Sequence, residues 1–347
     1  MLPCYVSLHA ESFRFCACLV PFLDQSIELF ASESDVSFAS HHWPTWGYDN
    51  IVSYLSKQRD LYAYMHDQTL RLMNQGHTGI EIAEMIELPP TLAQSWHCRG
   101  YYGSLNHNVK AVYQRYMGWF DGNPAHLWPH PPEEAAKRYV DFMGGASVVL
   151  AKAQQSFDEG DYRWVAEVVN HVVFAEPQNR QARDLLAQTY LQLGFGSENA
   201  TWRNFFLTGA MELQVDAIDS GYRPRVLELL SHLSVAQIFE AIAIRLDGPR
   251  AAGTDLIINW TITESGDRHF IRLENAVLSH VEGRLHEQAD LSVSIPKSQM
   301  LFVMFGFVAL DDLVASGVAS ITGEIATLTR LQALLDAPDP DFAIGTP

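Results

Sequence analysis

Apolar residues recur at helical spacing through the first two-thirds of the chain and alternate in the last third. Tyr48 to Gln75 reads as one long helix, with Ile51, Tyr54, Leu55, Leu61, Tyr62, Met65, Leu72 and Met73 on its buried side. Asp49 or Asn50 caps it and Gly76 ends it. A short helix over 21–30 comes earlier, followed by the alternating strand Asp35-Val-Ser-Phe-Ala-Ser40, which ends at His41-His42-Trp43-Pro44. Thr78 to Glu87 is a second helix, opened by the capping-box pattern Thr78-Gly-Ile-Glu81, and Thr91 opens a short third after Pro89-Pro90. Within Val109 to Trp119, the residues Val109, Val112, Tyr113 and Tyr116 fall at i, i+3, i+4 and i+7, which makes one apolar-aromatic helix face. Asn106 or Asn108 can cap this helix, and Asp121-Gly-Asn-Pro124 stops it.

Pro131-Pro132 leads into a helix over 133–143. Small residues such as Ala151, Ala153, Gly160, Ala166 and Ala182, with Pro177, trace a helix–turn–helix of tetratricopeptide type across 146–194. Trp202 to Val215 adds one more helix, and the all-helical region ends near residue 220. Beyond Arg225 the period changes. A helix over 226–246 precedes strands at 255–263, 268–275, 277–282 and 289–295, with turns at Glu264–Asp267 and Asn275-Ala276. Pro296 to Ala309 is a very apolar helix; a helical piece at 311–315, a strand at 318–323 and a helix at 326–335 close the chain. The pattern describes an all-α part followed by a small α+β domain.

At 347 residues the chain is too long for one ordinary core, and 48% hydrophobic with 18% charged residues describes a globular protein. A net charge of −18, with no basic stripe, opposes nucleic-acid and anionic-membrane partners. An anionic substrate would therefore need a local positive site or a metal. Residues 99–124 offer such a site, with six aromatic residues, one histidine and three cationic side chains. His107, Lys110 and Arg115 are donor types that grip sulfate or phosphate, although a core helix with ordinary surface charges has the same pattern. His41-His42 at a strand end suits a metal ligand or a base, or else one packed and one loop histidine. The run Met300 to Leu310 is apolar all round, as in a buried helix or the wall of an irregular apolar pocket.

No run reaches the roughly 20 apolar residues of a membrane helix, so no integral membrane segment is expected. The four cysteines show neither metal nor disulfide spacing, which points to a reduced compartment. A cytoplasmic location is expected. The apolar stretch Phe13–Leu23 keeps a secreted or periplasmic one as the alternative, although no Lys or Arg precedes it.

Phe38-Ala-Ser-His-His-Trp-Pro44, Gln58-Arg-Asp-Leu-Tyr62, Asn74-Gln-Gly76 and the stretch from Gly100-Tyr-Tyr-Gly103 through Asn123-Pro124 resemble the linear alkyl sulfatases. These are sulfate-ester hydrolases of the metallo-β-lactamase superfamily. The resemblance implies three parts: the end of a metallo-β-lactamase-like αββα domain over 1–44, an all-α dimerisation domain over 45–220, and a sterol-carrier-protein-2-like α+β domain over 225–347. It also implies a homodimer, a zinc cofactor, and hydrolysis of primary alkyl sulfates to alcohol and sulfate. Carried onto this sequence, it makes His107 the candidate catalytic residue and Asn106, His107 and Tyr116 the sulfate pocket. Met300, Phe302, Phe305 and Phe307 would hold the alkyl tail; His41, with His42 second, would be the remaining metal ligand. The family's HxHxDH zinc motif is absent, since no two of the fourteen histidines are separated by one residue. One imidazole cannot hold two zinc ions. The alternative function is therefore a non-catalytic dimerisation and lipid-binding protein.

Overall fold

The structure, a computed structural model, describes residues 16–215, 232–339 and 341–347. The chain folds as two compact units, one formed by residues up to 218 together with 343–347, the other by 219–342.

Among its described residues, the first unit is helical apart from one hairpin. Helix α1 (Cys16–Phe30) starts earlier than its pattern suggests. Strands β1 (Val36–Ala39) and β2 (His42–Trp46) then pair antiparallel, Val36 opposite Trp46 and Ala39 opposite His42. The second strand is absent from the hydropathy pattern because Pro44 interrupts it, and a proline is tolerated on an edge strand. Helix α2 (Tyr48–Met73) follows. Its N-cap is Gly47, with no side-chain cap, rather than Asp49 or Asn50; the Asn50 amide instead donates back to the Trp46 carbonyl at 2.9 Å.

Thr78 and Glu81 form the expected capping box at the start of α3 (Gly79–Met85), and a short α4 (Pro90–Ala93) follows. Helix α5 (Leu105–Met117) is capped by Ser104, whose hydroxyl accepts from the His107 N–H, so Asn106 and Asn108 lie inside its first turn. Val109, Val112 and Tyr113 are buried as the periodicity requires, whereas Tyr116, one turn on, is 51% exposed. Helices α6 (Pro132–Phe142), α7 (Ala146–Asp158), α8 (Tyr162–Ala175), α9 (Arg180–Phe195) and α10 (Ala200–Glu212) complete the unit. Val165, Val169, Val172 and Val173 of α8 meet Leu186 and Ala182 of α9 in one fully buried cluster. Gly194 lets α10 approach α9, because a Cβ there would lie 2.9 Å from Leu207 Cδ2. The buried Glu212 carboxylate accepts from the backbone N–H groups of Ile344 and Gly345 at 2.8 and 2.7 Å.

The second unit is mixed α/β. Its helix α11 (Val235–Ala243) carries a capping box at Ser234 and Gln237; the part of the expected helix before 232 lies outside the described residues. After a short α12 (Gly248–Ala251) come β3 (Leu256–Ile262), β4 (Arg268–Glu274), β5 (Val277–Glu282), β6 (Leu291–Ile295) and β7 (Ser320–Gly323). The sheet order is β5-β4-β3-β6-β7, with β3 and β6 parallel and the other pairs antiparallel. Asn275 (φ 54°) and Ala276 (φ 61°) make the two-residue turn between β4 and β5, and both lie in the left-handed region that such hairpins need. Helices α13 (Lys297–Met304), α14 (Leu310–Ala315) and α15 (Ala326–Ala333) cover the sheet. The expected helix from Pro296 to Ala309 stops at Met304, since Gly306 turns the chain at φ 77°. Trp260, Ile258, Ile242, Met300, Val303 and Leu331 are core residues of this unit.

Candidate functional site

The β1–β2 turn, the middle of α2, the loop 96–104, the first turns of α5 and the α9–α10 junction together enclose a cavity of about 1810 Å³. One part of its wall carries donors and rings: His41, His42, His97, Arg99, Tyr101 and Lys110. Another part is apolar, with Leu61, Leu88, Leu193 and Phe206.

Ser40 and His41 form the hairpin turn, which presents both histidines to the cavity. His41 stacks on Tyr102, with ring centroids 3.6 Å apart and planes 11° apart. His42 Nδ1 lies 2.6 Å from the Tyr101 hydroxyl. Burial lowers the His42 pKa, so the ring stays neutral, and burial raises that of Tyr101, so the phenol keeps its proton. With both groups neutral, they share one hydrogen bond, either from the phenol to Nδ1 with the imidazole proton on Nε2, or from Nδ1–H to the phenol oxygen. Tyr54 stacks on His42 from α2 and meets His97 edge-on at 5.0 Å. The His97 carbonyl accepts from Gln58 Nε2 at 2.6 Å, while its own ring Nε2 is buried and has no partner among the described residues. Burial is the main cause that lowers the His97 pKa, followed by Lys57 and His42.

Asn199 fixes the loop that carries Tyr101 and Tyr102. Its Oδ1 caps α10 by accepting from the Trp202 N–H at 2.8 Å, and its Nδ2 donates to the carbonyls of Gly100 at 2.9 Å and Tyr102 at 2.5 Å. The Ala200 N–H completes the tie to the Tyr101 carbonyl at 2.9 Å. Arg99 pairs with Glu198 at 2.7 Å, but both side chains are 49% exposed, so this pair contributes about 0–1 kcal/mol.

The structure separates the residues expected to form a sulfate pocket. Asn106 lines the cavity and donates to the Ala83 carbonyl at 3.2 Å and to Glu84 at 3.0 Å; its own Oδ1 is buried and has no partner among the described residues. His107 lies behind the wall, where its Nδ1 accepts from Trp202 Nε1 at 3.4 Å, and it is the Trp202 side chain that lines the cavity. Tyr116 is held outside by His66, hydroxyl to Nε2 at 2.7 Å. Lys110 faces the cavity with its pKa lowered, mainly by burial, while neighbouring Glu84 acts in the opposite direction. Arg163 reaches the same Glu84 at 3.2 Å. Arg115 is exposed. His97 and Asn199 belong to the site although neither stands out by residue type. Asn199-Ala-Thr-Trp202 has an N-cap spacing, a signal by which the sequence could have marked it.

In the second unit the four proposed tail residues do not share one wall. Met300 is fully buried in the core, Phe305 packs at its margin beneath the Arg245 guanidinium, 5.2 Å from its centroid, and Phe307 is 57% exposed. Phe302 meets Phe307 edge-on at 6.2 Å.

A catalytic zinc takes about three protein ligands. Among the described residues, no group of three or more His, Cys, Asp or Glu side chains is placed to hold a metal ion, so these residues alone do not fit one. Among the described residues no helix is long and apolar enough to cross a membrane.

Comparison with known proteins places this arrangement. Residues 78–216 match the family model for alkyl sulfatase dimerisation, and residues 226–347 match the model for the alkyl sulfatase C-terminal domain. The chain is 43% identical over 328 residues to a linear primary-alkylsulfatase of Pseudomonas sp, covering 94% of this chain and 48% of that protein. It is 42% identical to the alkyl/aryl-sulfatase BDS1 of Saccharomyces cerevisiae, covering 94% of this chain and 50% of the relative. Among solved structures, the stereoselective inverting sec-alkylsulfatase Pisa1 from Pseudomonas sp. superposes with a TM-score of 0.88 at 39% identity, covering 94% of this chain and 52% of that one. The chain thus spans about half the length of the relatives it matches. With both domain models in sequence order, and an all-helical part followed by a mixed α/β part, the chain belongs to the alkyl sulfatase family, of which it carries the dimerisation and C-terminal domains.

Proposed function

We propose that this chain is the substrate-holding and dimerising part of an alkyl sulfatase, acting on alkyl sulfates to release alcohol and sulfate. The observation that carries this reading is the two-sided cavity of the first unit. Lys110, Arg99 and the Nε2–H of His42 offer charged or N–H donors to an anionic head, and Leu61, Leu88, Leu193 and Phe206 offer an apolar wall to an alkyl chain. In this reading the Tyr101 hydroxyl donates to His42 Nδ1, which leaves a proton on Nε2 and orients it before a sulfate arrives. His107 acts through Trp202, on the cavity wall. In this reading the β1–β2 hairpin is the end of a metallo-β-lactamase-like domain. His41, whose ring nitrogens are not committed to Tyr101, then contributes at most one ligand to a zinc site completed by residues beyond those described. The second unit corresponds to the sterol-carrier-like domain of the family, and the chain assembles as a homodimer through the segment that matches the dimerisation model.

Titration calorimetry with octyl sulfate and with octanol tests the reading. Octyl sulfate is expected to bind the purified chain at least tenfold more tightly than octanol, a difference of about 1.4 kcal/mol from the head group. Sulfate release is expected only when the half of the relatives' length that this chain does not span is supplied together with zinc. Equal affinity for the two ligands would remove the sulfate-binding role. Apolar binding without sulfate release in the reconstituted protein would leave a non-catalytic dimerisation and lipid-binding chain.

A further inference from the structure

We infer that residues 117–132 form an aromatic arm that clasps a second copy of this chain. This assignment rests on the dimeric reading above and goes beyond it by naming the surface.

The arm leaves the end of α5 at Gly118 (φ 74°) and runs to the start of α6. Between Gln114 and Glu134 every residue is exposed except the half-buried Phe120 and Asp121. Trp119 and Trp128 are 74% and 94% exposed, and Leu127 is 57% exposed. Indole rings are seldom left so bare on a monomer, since each removes roughly 150–250 Å² of mostly apolar surface when covered.

The arm is also ordered by its own bonds. Asp121 accepts from the Asn123 N–H at 3.0 Å and pairs with His126 at 2.6 Å, and the Asn123 side chain accepts from the Ala125 N–H at 3.0 Å. At its base, the Tyr116 hydroxyl is held by His66 on α2. Pro124, Pro129, Pro131 and Pro132 stiffen the path. A segment shaped before its partner arrives loses little entropy on docking.

Three arguments choose a second copy as the occupant. The arm lies inside residues 78–216, which match the dimerisation model. In a chain of net charge −18, a charge-poor zone is where two copies repel each other least. Over 117–132 the sole charged residue is Asp121, already paired with His126. Depletion of charge with enrichment of aromatic residues is the composition of an interface core. The exposed parts of Tyr116, Met117, Trp119, Leu127 and Trp128 amount to roughly 700 Å² per chain, close to the ~800 Å² that each partner gives to a standard interface.

The test is light scattering coupled to size exclusion over a concentration series. It compares the full chain with Trp119→Ser/Trp128→Ser and with Leu127→Glu, and circular dichroism checks the fold of each. The wild-type chain is expected to be a dimer. Each variant should stay folded, with its dimer dissociation constant raised at least ~100-fold, as for loss of buried anchors. A wild-type dimer that survives both variants would overturn the arm assignment, place the self-contact elsewhere and leave the dimeric reading intact. A wild-type chain that is monomeric at every concentration would overturn both.

Discussion

Asn199→Ala should loosen the cavity wall without touching any residue that faces a ligand through its ring. Asn199 is 5% exposed, and its amide makes three backbone contacts: the N-cap bond from Trp202 and two donations to the carbonyls of Gly100 and Tyr102. Loss of an Asn cap costs about 1 kcal/mol. Each donation contributes about 0.5–1.5 kcal/mol net, and among the described residues the Tyr102 carbonyl retains the longer bond from Thr201 at 3.3 Å. The expected cost is about 2–4 kcal/mol. Native-state hydrogen exchange reads it directly at the Ala200 amide, which closes the tie to the Tyr101 carbonyl. Its protection should fall by a factor of roughly 30–1000, since 1.4 kcal/mol is tenfold. Asn199→Ser keeps the cap but cannot reach the two carbonyls, so it should lose about 1 kcal/mol less than Asn199→Ala. Protection in Asn199→Ala within twofold of wild type would refute the claim that this side chain holds the loop.

In the proposed arrangement the Tyr101 hydroxyl donates to His42 Nδ1, so in Tyr101→Phe nitrogen NMR shifts should show the imidazole proton moving from Nε2 towards Nδ1; an unchanged tautomer would refute that direction of the bond. Gly323→Ala should cost about 3 kcal/mol or more, because a Cβ there would stand 2.2 Å from the Asp290 carbonyl oxygen at φ 102°; calorimetry of the second unit's transition checks this. His171 and His269 both have pKa values lowered, mainly by burial, so the unfolded chain binds more protons than the fold just below the free-histidine value of about 6.5. Stability should therefore be fully present above that pH and decline as pH falls from about 6.5 towards the folded values, and His171→Gln should flatten the slope seen in urea titrations.

Long periodic elements were legible because burial repeats them many times over: α2, α5 and the α7–α9 hairpins follow their apolar spacing. Local chemistry chose between near-equals less well. Ser104, Asn106 and Asn108 are all good caps, and Ser104 takes the role because it alone has extended backbone just before the helix. Strand β2 was hidden by its proline, and the helix after Pro296 looked too long because hydropathy does not register the left-handed turn at Gly306. Within the site, the stretch 99–124 was marked by its composition, yet its residues part ways in space. Lys110 and Asn106 face the cavity, His107 sits behind Trp202, and Tyr116 turns to His66. The tie from Asn199 to Gly100 and Tyr102 joins positions nearly a hundred residues apart, and no local pattern encodes it.

The turn at Asn275 and Ala276 bears on the order in which the second unit assembles. Strands β4 and β5 close over two residues, whereas parallel β3 and β6 can pair only after the chain has made that hairpin and returned. Local closure is the cheaper first step in entropy. Ala276 burdens that step with a left-handed backbone that a methyl group resists, yet the same methyl packs at the margin of the finished core. Kinetics and endpoint thus pull in opposite directions at one carbon atom. In stopped-flow refolding, Ala276→Gly should reach the native state faster, and it should leave it faster as well.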